Sequence, residues 1–119
     1  MATDKKRFSE FVIVTVFSTR EQIIPLETEA AKELVSRVGH YMRRSFGGAT
    51  AIPGSGFYLH RDGVTETDEA VTLVYSFFDR DAMTDAKLDA LDVFIEELRV
   101  EYGQESVAVI DNGGMFFIE

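Results

Sequence analysis

A chain of 119 residues with no cysteine and two histidines fits one domain with a real hydrophobic core; it excludes disulfides and thiolate metal sites. Any metal site would have to be carboxylate-rich, and neither a metal nor a cofactor is expected. Twelve Lys plus Arg against twenty-one Asp plus Glu give a formal charge of −9, which disfavours direct binding to nucleic acid or to an anionic membrane. That charge reads as solubility or, more sharply, as an acidic surface competing with nucleic acid for a basic partner.

Residues 1–8 are polar and expected to be flexible, which leaves residues 9–119 as a single domain. No apolar segment follows the charged start, and the longest apolar run, residues 11–17, is too short to span a bilayer, so a cytoplasmic location is expected. That run, Phe11-Val12-Ile13-Val14-Thr15-Val16-Phe17, is β-branched and aromatic on both alternating faces and predicts a central strand buried on both sides. After a loop carrying Pro25, Thr28 is the expected cap of a helix. Its stripe is Ala31, Leu34, Val35, Val38, Tyr41 and Met42, and it ends near Gly47-Gly48.

Residues 49–60 read as a strand interrupted by Pro53-Gly54-Ser55-Gly56, marking a bulge or an edge. Arg61-Asp62-Gly63 signals a hairpin, and the return strand sets Val71, Leu73, Tyr75 and Phe77 on one face. Asp81 or Thr84 is expected to cap a second helix with a stripe of Leu88, Leu91, Phe94, Ile95, Leu98 and Tyr102, stopped by Gly103. A strand over residues 107–110, a tight turn at Asp111-Asn112-Gly113-Gly114 and a short strand over 115–118 complete the chain.

This order predicts an α+β, ferredoxin-like fold: βαββαβ with a short extra C-terminal strand, strand order 4-1-3-2 with the fifth beside the fourth, and both helices on one face. Two helices cover only one face, yet the first strand is apolar on both. A homodimer or higher homo-oligomer built sheet to sheet is therefore expected.

Candidate sites are sparse. The first helix carries Arg37, His40, Arg43 and Arg44, and the second Asp85, Asp89, Asp92 and Glu96. Such sorted charges serve as solvated faces or lateral pairs, while Arg43 and Arg44 beside the Gly47 and Gly48 amides offer an anion-binding patch. The segment Phe46-Gly47-Gly48-Ala49-Thr50 is no P-loop, since it lacks the lysine and precedes a strand. Gly54-Ser55-Gly56 opens no helix, and Ser55 has no evident base. His60, beside Tyr58 and across the hairpin from Glu66, is either an acid-base pair or an ordinary surface histidine. Gln104-Glu105-Ser106 either caps the second helix or lines a site.

Phe46, Gly47, Gly48 and Thr50 after the first helix, with Gly103, Gln104, Glu105, Ser106 and Val107 after the second, make an FGG-T and GQESV pair of motifs. The chain thereby resembles a family of small bacterial proteins of unknown function and unnamed proteins common in viral genomes. The strand over residues 71–78 and Met115-Phe116-Phe117 also look like the viral members. The resemblance supports the fold and a single domain, and implies no activity.

The leading expectation is a non-catalytic oligomeric binding protein of virus-encoded type. It would hold a small anionic, nucleotide-like ligand between subunits through Arg43, Arg44, Phe46, Gly47, Gly48, Thr50, Gln104, Glu105 and Ser106. The expected topology puts the two loops at opposite ends of the sheet, so a shared site requires a partner subunit. One alternative is a cofactor-independent small-molecule enzyme on a dimeric ferredoxin-like scaffold, with His40 or His60 as base. Another is an acidic inhibitor of a nucleic-acid-binding protein, acting through Asp85, Asp89 and Asp92.

Overall fold

The computed structural model describes residues 7–17, 19–20, 24–25, 27–60 and 62–119. The expected flexible start therefore lies largely outside the described residues, as does Arg61 of the hairpin signal. In chain order the elements are β1 (Glu10–Phe17), β2 (Thr19–Arg20), β3 (Ile24–Pro25), α1 (Thr28–Phe46), β4 (Thr50–Leu59), β5 (Glu66–Phe78), α2 (Thr84–Glu101), β6 (Val107–Asp111) and β7 (Gly114–Ile118). Five of the strands form one antiparallel sheet in the order β4-β5-β1-β6-β7. Setting aside the two-residue ladder of β2 and β3, this is the expected ferredoxin-like order with the extra strand at the edge.

Strand alternation explains where the core sits. Val12, Val14 and Val16 point to one face and are buried against Leu34, Val38 and Met42 of α1 and Leu91, Ile95 and Leu98 of α2. Those helical positions recur at three-and-four spacing, so each helix turns one stripe to the sheet. Tyr41 stacks on Phe94 between the helices with centroids 4.1 Å apart. Leu91 is wholly buried; Leu91→Ala should therefore lower unfolding stability by ~3 kcal/mol, read from urea denaturation. An unchanged midpoint would remove it from the core.

Several boundaries differ from expectation. Thr28 is the first helical residue of α1, with Glu27 at the cap and no side-chain cap bond. Met83 occupies the cap of α2. Asp81 and Thr84 shape the turn leading in: the Met83 N–H donates to the Asp81 carboxylate (2.7 Å), and the Asp81 N–H to the Thr84 hydroxyl (2.8 Å). No bulge interrupts β4, whose ladder to β5 runs unbroken from Thr50↔Tyr75 to Leu59↔Glu66. β4 is an edge strand, so a residue whose N–H would face away from β5 has no ladder bond to lose, and Pro53 is tolerated there.

The β4–β5 hairpin outruns the sheet. β1 reaches only Val71 of β5, so residues 55–59 and 66–70 form a two-stranded arm, which fits a longest dimension of 56 Å against 28 and 27 Å. Phe57, Leu59 and Val64 are exposed on it.

The face of the sheet away from the helices is also apolar. Phe11 and Ile13 of β1 stand beside Phe77 and Tyr75 of β5; Ile52 stands beside Leu73, and Ile110 beside Met115. Phe77 is 55% exposed and Met115 59%. None of the positions that the register puts on this face between Val71 and Phe77, or beside them on β1, β6 and β7, carries a charge. No helix among the described residues is long and apolar enough to cross a membrane.

Candidate functional site

The residues expected to bind a ligand fall into two separate groups. Thr50 pairs with Tyr75, which faces Ile13 near the start of β1; Ala108 pairs with Thr15 toward the other end. Arg43, Arg44, Phe46, Gly47, Gly48 and Thr50 thus lie at one end of the sheet, and Gln104, Glu105 and Ser106 at the other.

Within the first group the polar backbone is already used. Gly47 takes the left-handed conformation (φ 94) that ends α1, and its N–H donates to the Arg43 carbonyl at 2.8 Å. The Ser76 hydroxyl donates to the Gly48 carbonyl at 2.6 Å, and Phe46 stacks on Phe78 with centroids 4.4 Å apart. Arg43 and Arg44 are exposed. In the second group the Gln104 N–H donates to the Arg99 carbonyl. Arg99 in turn donates to the carbonyls of Gln104 (3.1 Å) and Glu105 (3.4 Å) and is clamped by Glu96. Both loops finish helices.

The acidic stripe of α2 is partly paired: Asp85 meets Arg80, and Glu96 meets Arg99. Burial, then the neighbouring Asp89 and Asp111, raise the Asp92 carboxyl above its ordinary value. Among the described residues no three His, Cys, Asp or Glu side chains are grouped to hold a metal ion.

His60 does not pair with Glu66. The register sets Glu66 opposite Leu59, on the other side of the arm from Tyr58, while His60 Nε2 lies 2.5 Å from the Thr67 hydroxyl. His40 is exposed on α1. Ser55 pairs with Ala70 on the helix side of β4.

A different cluster forms where the arm joins the open face. Gly54, Gly56 and Tyr58 alternate onto the same side of β4, and Glu69 is the cross-strand partner of Gly56. The Tyr58 ring folds back along its own strand to cover Gly56: a Cβ built there would stand 2.6 Å from the ring Cζ and closer still to the hydroxyl. That ring explains why Gly56 is buried on an edge strand whose next residues are exposed. It also sets the phenol beside the Glu69 carboxylate. Burial first, and the negative charge of Glu69 second, raise the Tyr58 phenol above its ordinary value; the protonated phenol can donate a hydrogen bond. Thr67 and His60 continue the row toward the arm tip. A cleft of about 490 Å³ lined by Val16, Ala31, Val35 and Ala70 lies on the helix side of the sheet and does not join this cluster.

The tip that fixes this register is held by Asp62, whose carboxylate accepts the N–H groups of Val64 (2.9 Å) and Thr65 (2.8 Å) and the Thr65 hydroxyl. Gly63 supplies the positive φ of 73°. The Thr65 hydroxyl, then the two N–H groups, hold the Asp62 carboxyl down to about 2. Because this folded value lies below the unfolded one of about 3.9, the carboxylate steadies the turn above pH ~4. Its contribution fades as pH falls toward about 2. A carboxyl NMR titration should place its midpoint near 2, and Thr65→Ala should raise it; an ordinary midpoint would mean these bonds are absent in solution.

No protein-family model matches the chain, and no curated protein matches it in sequence. The fold does have solved counterparts. A phage SAM lyase in complex with S-methyl-5′-thioadenosine superposes with a TM-score of 0.70 at 17% identity, over 98% of this chain and 95% of that one. A phage SAM lyase in the apo state gives 0.65 at 18% identity with the same coverage. CutA of Pyrococcus horikoshii gives 0.46 at 16% identity, over 86% and 80%. The expectation of a non-catalytic binding protein is thereby overturned: the solved structures that match over 98% of this chain are of a phage SAM lyase, an enzyme, and the small-molecule enzyme alternative agrees with them better.

Proposed function

We propose that this protein is an enzyme that cleaves S-adenosylmethionine to S-methyl-5′-thioadenosine, with Tyr58 and Glu69 in its site. The observation that carries this reading is the Tyr58 phenol folded over Gly56 beside Glu69, at the border of an uncharged apolar face. The Glu69 carboxylate repels the anionic ligand first expected and suits a cation. S-adenosylmethionine combines a sulfonium and an ammonium with a planar base, which needs one negative charge and aromatic surface. The likeness to a phage SAM lyase bound to S-methyl-5′-thioadenosine supports the same choice, as it does a virus-encoded origin.

The chemistry asks little of the protein in proton transfer. Release of S-methyl-5′-thioadenosine breaks the bond between sulfur and the side-chain γ-carbon of the methionine part, and the electron pair leaves with sulfur, which becomes neutral. The substrate's own carboxylate oxygen can form the new bond to that carbon and close a lactone, so no water is consumed and no proton moves. The rate of such a displacement depends on holding the chain in the folded, in-line conformer. Glu69 anchors a cationic end of the substrate, and Tyr58 supplies a ring face and a hydroxyl that orient it.

Incubating the purified protein with S-adenosylmethionine and quantifying S-methyl-5′-thioadenosine by liquid chromatography tests the reading. Formation well above the protein-free rate is expected; formation at that rate would overturn it.

The chain also acts as a homo-oligomer in this reading, with the open face covered by a further copy. The uncharged register rows and the half-exposed Phe77, Ile52 and Met115 support this.

A further inference from the structure

We infer that Gly56 is a positioning residue for Tyr58: the missing side chain at Gly56 is what allows the phenol to lie against the strand and reach Glu69. The inference deepens the proposed activity and rests on it for its catalytic meaning, but its geometry stands independently.

The reasoning starts from β4, where glycine is a poor strand former and needs a local reason. Gly54 and Gly56 lie on the same side of the same edge strand, yet a Cβ would have opposite consequences at the two positions. At Gly54 it would meet only Val71 Cγ2 at 3.8 Å, an ordinary contact. At Gly56 it would overlap the Tyr58 ring, with Cζ at 2.6 Å. Neither glycine has a positive φ, so alanine is compatible with the backbone at both. The overlapping atoms at Gly56 belong to the far end of a side chain that turns about two torsions, and the cheapest response to Gly56→Ala is for the ring to swing away. The fold survives, and the phenol loses both its cover and its place beside Glu69. An aromatic ring laid over a strand glycine is a known stabilising device in sheets; here it also aims a polar group.

Gly56→Ala is therefore expected to leave the unfolding midpoint little changed, because the better strand propensity of alanine offsets the lost ring cover, and to lower kcat/KM for S-adenosylmethionine about tenfold or more. Gly54→Ala should change neither. In a Tyr58→Ala background, adding Gly56→Ala should cause no further loss, because both changes act through one side chain. A readout independent of turnover is the titration of Tyr58 followed by NMR of ring-labelled tyrosine. In the wild type it should titrate above the ordinary tyrosine value, and in Gly56→Ala it should fall back toward that value while Gly54→Ala leaves it in place. An unchanged Tyr58 titration in Gly56→Ala would overturn the positioning role whatever the activity. If instead the titration shifts but Tyr58→Ala turns over normally, the positioning stands and the catalytic assignment of Tyr58 fails.

Discussion

Glu69→Gln is expected to lower kcat/KM for S-adenosylmethionine cleavage by about 100-fold, equivalent to ~2.7 kcal/mol of lost transition-state stabilisation, with no loss of fold. Glutamine keeps the shape and the hydrogen-bonding reach of the side chain and removes only its charge. Glu69 lies on the arm, outside the helix-packed core, so an effect on folding is not anticipated. The loss should divide unevenly. A cation held equally in ground and transition states contributes to KM, while an anchor that enforces the in-line conformer contributes to kcat. Because Glu69 is fixed by its cross-strand place opposite Gly56 and beside the phenol, the kcat share should dominate. Glu66→Gln, on the opposite side of the arm, is the matched control and should leave both constants alone. Equal turnover by Glu69→Gln and wild type would remove Glu69 from the site.

The fold was largely legible in the sequence because the signals were local. Alternation in residues 11–17 and 70–78, two stripes at helical spacing, and glycine or Asx punctuation at residues 47, 62–63, 103 and 111–114 define the strands, helices and stops without knowledge of the rest. The candidate site was not legible, because it depends on register. Pairing His60 with Glu66 is a displacement by a single residue from the true Leu59↔Glu66 pair, and a displacement of one turns a side chain to the other face. The correct register moves Glu66 away from His60 and sets Glu69 opposite Gly56. One local signal was available: glycine, glycine and tyrosine at positions 54, 56 and 58 share a face of an alternating strand. Taken as an interruption of the strand, the glycines conceal that. Conversely, FGG and GQE attract notice as glycine-containing motifs, and the structure uses both to end helices.

Phe77→Asp should convert the assembled protein to a monomer, raising the dissociation constant by well over about 100-fold, because each copy would bury an unpaired charge. The choice of residue matters. Phe77 is 55% exposed within the single chain, where it packs edge-on against Tyr75 at 5.4 Å and tilted against Phe11 at 6.4 Å. Its replacement therefore removes little from the protomer's own core, unlike the same change at the neighbouring, inward-facing Phe78, which is buried. Sedimentation velocity at micromolar concentration distinguishes the outcomes. Wild type should sediment as a dimer or larger species and Phe77→Asp as a folded monomer with an unchanged circular dichroism spectrum. A wild type that is already monomeric would overturn the assembly, and an undisturbed oligomer in Phe77→Asp would move the interface off this face. The result bears on catalysis as well. The Tyr58–Glu69 cluster borders the same face, so an assembly that covers the face along its whole length, from Phe77 to Val71, would also withdraw water from around a substrate held there. A low-dielectric setting favours a step in which a sulfonium and a carboxylate neutralise each other. Phe77→Asp should accordingly lose turnover together with assembly, although Phe77 itself lies several register positions from Glu69 along β5.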